Sequence, residues 1–169
     1  GNMFGAVEFY EKAKSEGIKP ILGCEIYITS GSRKDRTIKA GGDGNHHLLL
    51  IAKNREGLKN LYKLLTVAYF EGFYYKPRID HEVLKEYSKG LVCLSACLKG
   101  EINGAILAGD LEKAEQKATL YRGYFDEGDF YFELMDHNIP EQKRANEGLL
   151  ELSRKLSIPV VATNDCHYL

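Results

Sequence analysis

The sequence predicts an α/β domain built on a parallel sheet or barrel. Three observations carry this. Apolar or β-branched runs at 21–28, 47–53, 91–96, 130–135 and 159–164 read as strands. Stretches with apolar residues at helical spacing separate most of them, the alternation expected of parallel strands with helical crossovers. The chain has 169 residues, 44% hydrophobic and 28% charged, enough for one domain with a real core.

Residues 3–16 open the chain as a helix, with Phe4, Val7, Tyr10 and Ala13 as the stripe expected to face the core. Gly17 is a natural stop. The strand at 21–28 contains Gly23-Cys24-Glu25, an acidic residue inside an apolar run. Burying a carboxylate costs several kcal/mol unless a cation or donors offset it. Glu25 is therefore either a ligand or a residue on the solvent face of an edge strand. Residues 29–46 form a long polar loop with Gly31, Gly41, Gly42 and Gly44 and cations at Arg33, Lys34, Arg36 and Lys39. A solvated loop is expected, with a phosphate-contacting loop as the alternative.

The strand at 47–53 starts at His46-His47, whose side chains alternate, so only one faces inward. Asn54 caps a helix over 55–70, with Leu58, Leu61, Leu65 and Ala68 toward the core. Gly72-Phe73-Tyr74-Tyr75-Lys76-Pro77-Arg78 reads as a packed, Pro-stiffened connector. Aromatic faces beside cations also suit bases and phosphates, and Arg78, with Lys76, is the candidate phosphate contact. A short helix at 81–87 and Gly90 lead to the strand 91–96, which ends at Cys97. A helix opens near Glu101, and another, capped by Asp110, spans 111–125. The strand 130–135 ends in Asp136-His137-Asn138, where His137 either lines a site mouth or is a hydrogen-bonded loop histidine. Pro140 suits the first helical position of a helix striped by Ala145, Leu149, Leu152 and Leu156.

The last strand stops at Asp165-Cys166-His167. Residues i and i+2 of an extended chain point the same way, so a carboxylate and an imidazole converge there as metal ligands would. In a βα barrel the loops after the strands form the active face, and Cys97, His137, Asp165 and His167 all fall on that face. Glu25 is less regular. His47, at the start of its strand, fits poorly. Mixed N, O and S donors suit zinc or a cluster of divalent ions, which hydrolyse phosphoesters by activating water.

Charge is nearly balanced, with 23 basic and 24 acidic residues, so global charge does not predict nucleic-acid binding. No apolar run is long enough to span a bilayer, and no membrane partner is expected. The four cysteines show no CxxC pair and read as cytoplasmic thiols, buried or ligating. The chain runs at once into a helical pattern and stops two residues after Asp165-Cys166-His167. A domain seldom ends at its own candidate site, so a fragment of a longer protein is expected.

Several stretches resemble one family in order: Asn2-Met3-Phe4-Gly5-Ala6, Gly23-Cys24-Glu25, His47-Leu48-Leu49-Leu50, Gly72 to Asp80, Leu94 to Glu101, and Ala162 to Tyr168. The family is the PHP (polymerase and histidinol phosphatase) domain of the bacterial DNA polymerase III alpha subunit. The resemblance covers nearly all of residues 1–169 and is weakest across 29–45. It implies a distorted, TIM-like, seven-stranded βα barrel with a trinuclear metal cleft, here lacking its first strands. Carried over by motif, Glu25, His47, Cys97, Asp165 and His167 match ligand positions. Zinc is the expected cofactor, with manganese or magnesium as alternatives. The family's opening His-x-His and Thr-Asp-His motifs would precede Gly1, so metal binding by this piece alone should be reduced or absent. The implied functions are DNA replication and metal-dependent 3′–5′ exonuclease chemistry. The alternatives are a scaffold that docks a proofreading subunit and a free-standing phosphatase. The implied partners are DNA, other polymerase domains and that subunit.

Overall fold

The computed structural model describes residues 1–37 and 44–166. Helix α1 (Ala6–Ser15) is followed by strands β1 (Gly23–Thr29) and β2 (Asn45–Ala52) and helix α2 (Arg55–Phe70). Strand β3 (Arg78–Asp80), helix α3 (His81–Glu86), strand β4 (Leu91–Leu94) and helices α4 (Glu101–Leu107) and α5 (Leu111–Arg122) come next. Strand β5 (Phe130–Leu134), helix α6 (Pro140–Leu156) and strand β6 (Val160–Ala162) complete the order. The helix starts follow their caps. The side chains of Asn54, Asp80 and Asp110 accept from the backbone N–H of Gly57, Val83 and Lys113, and Pro140 opens α6.

The six strands form one sheet in the order β3-β1-β2-β4-β5-β6. It is mixed, which corrects the parallel expectation: β2 runs antiparallel to both β1 and β4, while the other pairs are parallel. The reason lies in the connection. A parallel neighbour needs a crossover, usually helical, whereas the sequence between β1 and β2 is polar and glycine-rich, with no apolar stripe at helical spacing. Among the described residues the sheet has two ends, β3 and β6, and no pairing joins them.

The ladder sorts side chains onto two faces. Cys24, Ile26 and Ile28 of β1, Leu48 and Leu50 of β2, Cys93 of β4, and Phe130 and Phe132 of β5 lie on the buried face. There they meet the stripe of α2 (Leu61, Leu64, Leu65, Ala68) and apolar residues of α4, α5 and α6. The register places Glu25 beside Leu49, Leu49 beside Leu94, and Leu94 beside Tyr131. It places Tyr27 beside His47, and Glu133 beside Val161. These residues share the second face, which the helices do not cover.

Helix α1 departs from its expected role. It buries no residue, and Phe4, Val7 and Tyr10 of the predicted stripe are exposed, Phe4 at 83%. The periodicity marks an apolar face, but that face is not turned into this core. Phe70, Phe73 and Tyr75 are exposed too, and the Phe4 and Tyr69 rings meet tilted at 44°, 6.0 Å between centroids.

Candidate metal centre

The reversal of β2 brings His47 to the others. Its strand starts at the end where β1, β4, β5 and β6 finish, so the first residues of β2 lie on the same rim as their last ones. Glu25 and His47 share a face, and His47 Nδ1 lies 3.0 Å from Glu25 Oε1. Cys97 follows β4 and puts its Sγ 3.8 Å from the same nitrogen. The Cys97 thiol and the Glu25 carboxylate push the His47 pKa up to about 9, against the opposing effect of burial. Nδ1–H therefore donates to the carboxylate. His46 points the other way, its Nε2 3.9 Å from Glu101 Oε1 on the helix-covered side.

The turn that carries Cys97 is held firmly. Ala96 has φ +64°, a left-handed backbone that costs a residue with a Cβ about 1–2 kcal/mol. Asn103 Nδ2 donates to the Ala96 and Cys97 carbonyls at 3.1 and 2.9 Å, and Gly100 N donates to Cys97 O at 2.8 Å. A Cβ on Gly100 would collide with the Ser95 carbonyl oxygen, so the turn closes only around glycine. Asp165, at the far side of the rim, also has a left-handed backbone, φ +48°.

Of the two candidate phosphate contacts, Arg78 is buried and Lys76 is exposed. Arg78 is 1% exposed. Its Nε donates to Gly72 O at 3.1 Å, and its NH2 donates to Arg33 O and Asp35 O at 3.0 and 2.7 Å. It pins residues 33–35 to the aromatic connector, so Nε and NH2 do not face a phosphate at the rim. Lys76 is exposed, and its Nζ sits 5.4 Å from the centroid of Tyr27. The Tyr27 ring in turn meets His47 edge-on at 5.2 Å, which puts the lysine at the mouth of the site.

His137 takes the hydrogen-bonded role. Its Nε2 donates to Asn164 O at 2.8 Å, and its Nδ1 accepts from Gln142 Nε2 at 2.9 Å. The carbonyl and amide partners fix the neutral Nε2–H tautomer. The clasp holds the backbone one residue before Asp165. His167 lies outside the described residues.

The donor chemistry fits a divalent cation: carboxylate, imidazole and thiol meet at one rim. Among the described residues, no three His, Cys, Asp or Glu side chains are gathered into a group that could hold a metal ion. Glu25 and His47 instead satisfy each other. A second observation comes from β5. Glu133 is buried, and its Oε2 has no hydrogen-bond partner.

The family model described as PHP domain matches residues 1–137. The chain belongs to the PHP domain family. Its relatives include proteins named DNA polymerase III subunit alpha. The protein from Aquifex aeolicus is 50% identical over 174 residues, covering 100% of this chain and 15% of the relative. That from Thermus aquaticus is 48% identical over 169 residues, covering 99% and 14%. That from Treponema pallidum is 45% identical over 168 residues, covering 99% and 14%. The chain thus spans about one seventh of the length of these curated relatives.

Within this PHP domain, sequence reasoning missed Glu133. The signal was present: a carboxylate amid Phe130-Tyr131-Phe132 and Leu134-Met135 is the same anomaly that singled out Glu25.

Proposed function

We propose that this chain is the PHP domain of a replicative DNA polymerase alpha subunit and that its rim binds divalent metal ions for phosphoester hydrolysis of the 3′–5′ exonuclease type. The reading is supported most by the meeting of Glu25, His47 and Cys97 at one rim, reached from three strands. Those three residues, with Asp165 and His167, would hold the metal, zinc being favoured by the thiol and imidazole and manganese or magnesium being alternatives. A bound divalent cation supplies a Lewis acid and lowers the pKa of water. The chain's own side chains do the rest. Lys76 meets the phosphate backbone of DNA at the mouth. Tyr27 stacks its edge on His47 and fixes the imidazole plane. His137 keeps the Asn164–Asp165 turn in place. In the longer protein the open sheet edges close into a seven-stranded barrel.

A specific observation favours a second reading, in which the domain is a scaffold. The exposed apolar residues Phe4, Val7, Phe70 and Phe73 form a surface suited to contact with other polymerase domains or a proofreading subunit. The two readings separate in one experiment on the full-length protein. Bound metal and 3′–5′ degradation of a DNA primer terminus are measured for the wild type and for Asp165→Asn. Loss of both in the variant, with polymerisation unchanged, supports the hydrolytic site. No nuclease signal in the wild type at any metal supply leaves the scaffold.

A further inference from the structure

Glu133 is a buried carboxylate with one oxygen that no donor reaches. It is the penultimate residue of β5, on the face shared by Glu25 and His47, and is 4% exposed. Two neighbours hold it in place. Thr163 Oγ1 donates to Oε1 at 2.6 Å, and the Glu133 backbone N–H donates to Ser95 Oγ at 3.0 Å. Oε2 is shielded from water and accepts no hydrogen bond. The Ala96 amide lies near enough to favour the carboxylate slightly, but makes no bond of normal geometry. Burial raises the carboxyl pKa first, and the charges of Asp165 and Glu25 raise it further. The carboxylates of Asp165 and Glu25 thus act on a buried carboxylate that has no basic side chain hydrogen-bonded to it. Such an arrangement is costly for the protein alone and becomes favourable around a cation.

We propose that Glu133 is a further metal-binding residue of this domain, its Oε2 reaching a divalent cation held between β5 and the Asp165 turn. Thr163 orients the carboxylate, as partners of metal ligands commonly do, and Ser95 holds the backbone that carries it. The inference rests on the metal-site reading above and adds a residue outside the ligand set that the motifs supplied. It also explains why a strand otherwise made of Phe, Tyr and Leu carries a charge.

The test uses the full-length protein with Mn²⁺ and Zn²⁺ as probes. Metal affinity is measured by equilibrium dialysis, and the folding of the metal-free protein by circular dichroism, for wild type and Glu133→Gln. The amide keeps the size and removes the charge. Expected is a loss of affinity of about 10–100-fold with the metal-free fold retained, the range seen when groups supporting a metal site are changed. Unchanged affinity in Glu133→Gln overturns the inference and leaves Glu133 a structural hydrogen-bonding group. A wild type that binds neither ion defeats the underlying metal-site reading instead. If Glu133→Gln does not fold, Thr163→Val takes its place. It frees Oε1 and should weaken binding several-fold, and equal affinity there also overturns the proposal.

Discussion

Replacing Glu101 with glutamine tests whether one buried carboxylate ties five elements together. Its side chain is 2% exposed. Oε1 accepts from Ser30 Oγ at 2.6 Å and Lys117 Nζ at 3.0 Å, and Oε2 accepts from His81 Nε2 at 2.9 Å and Tyr121 OH at 2.7 Å. These partners come from the end of β1, α3 and α5, with His46 of β2 nearby. In Glu101→Gln the amide nitrogen must face two donors, and Lys117 loses its counter-charge. Removing one member of a buried charge pair costs about 3–5 kcal/mol. Lys117 is 21% exposed and can turn toward water, so the lower end, about 3 kcal/mol, is expected. For a domain of this size that is a fall in Tm of roughly 6–12 °C. Thermal unfolding followed by circular dichroism reads it. A fall of under about 2 °C would show that the charge is not what organises the cluster.

The pH dependence supplies a second check on the same variant. Burial pushes the Glu101 pKa up, but hydrogen bonds from His81, Ser30 and Tyr121 outweigh it and hold the carboxyl well below the usual range. A folded-state pKa below the unfolded one contributes stability that is present above about pH 4.3 and lost as pH falls through the folded value. The gap between wild type and variant should stay constant from neutral pH down to about 5 and narrow in stronger acid.

Three further perturbations follow from the rim. Gly100→Ala should cost about 1–3 kcal/mol and displace Cys97, read by urea unfolding and by thiol reactivity at Cys97, because the new methyl meets the Ser95 carbonyl oxygen. Arg78→Lys should cost on the order of 3 kcal/mol and expose residues 30–37 to proteolysis, since an ammonium cannot reproduce the fork that holds Gly72, Arg33 and Asp35. Lys76→Ala should leave stability unchanged, weaken single-stranded DNA binding by the full-length protein several-fold, and reduce the salt dependence of that binding by about one ion.

Most elements were legible because local chemistry announced them. Asn54 and Asp110 cap their helices as expected, Pro140 starts α6, and the β-branched runs became strands. Where the reading failed, the missing information was tertiary. The stripe on α1 was real, but periodicity does not say what covers it. Strand β3 has only three residues after Pro77, too few for alternation to register. The direction of β2 could have been inferred from the lack of a crossover helix, and that would have removed the objection to His47. Arg78 and Lys76 were both visible as cations, but only folding decides which one is buried under a loop and which one faces the mouth. His137 was left between two roles because the Gln142 amide and the Asn164 carbonyl that decide between them come from α6 and from the chain after β6.

One strand running against its neighbours also decides where the chain can vary. The segment leaving Thr29 returns at Asn45, so both its anchors stand on the side where Cys97 and Asp165 emerge. Had β2 been parallel, that stretch would have crossed to the opposite edge. Length and charge can therefore change between these anchors while every β-ladder hydrogen bond beneath them stays as it is.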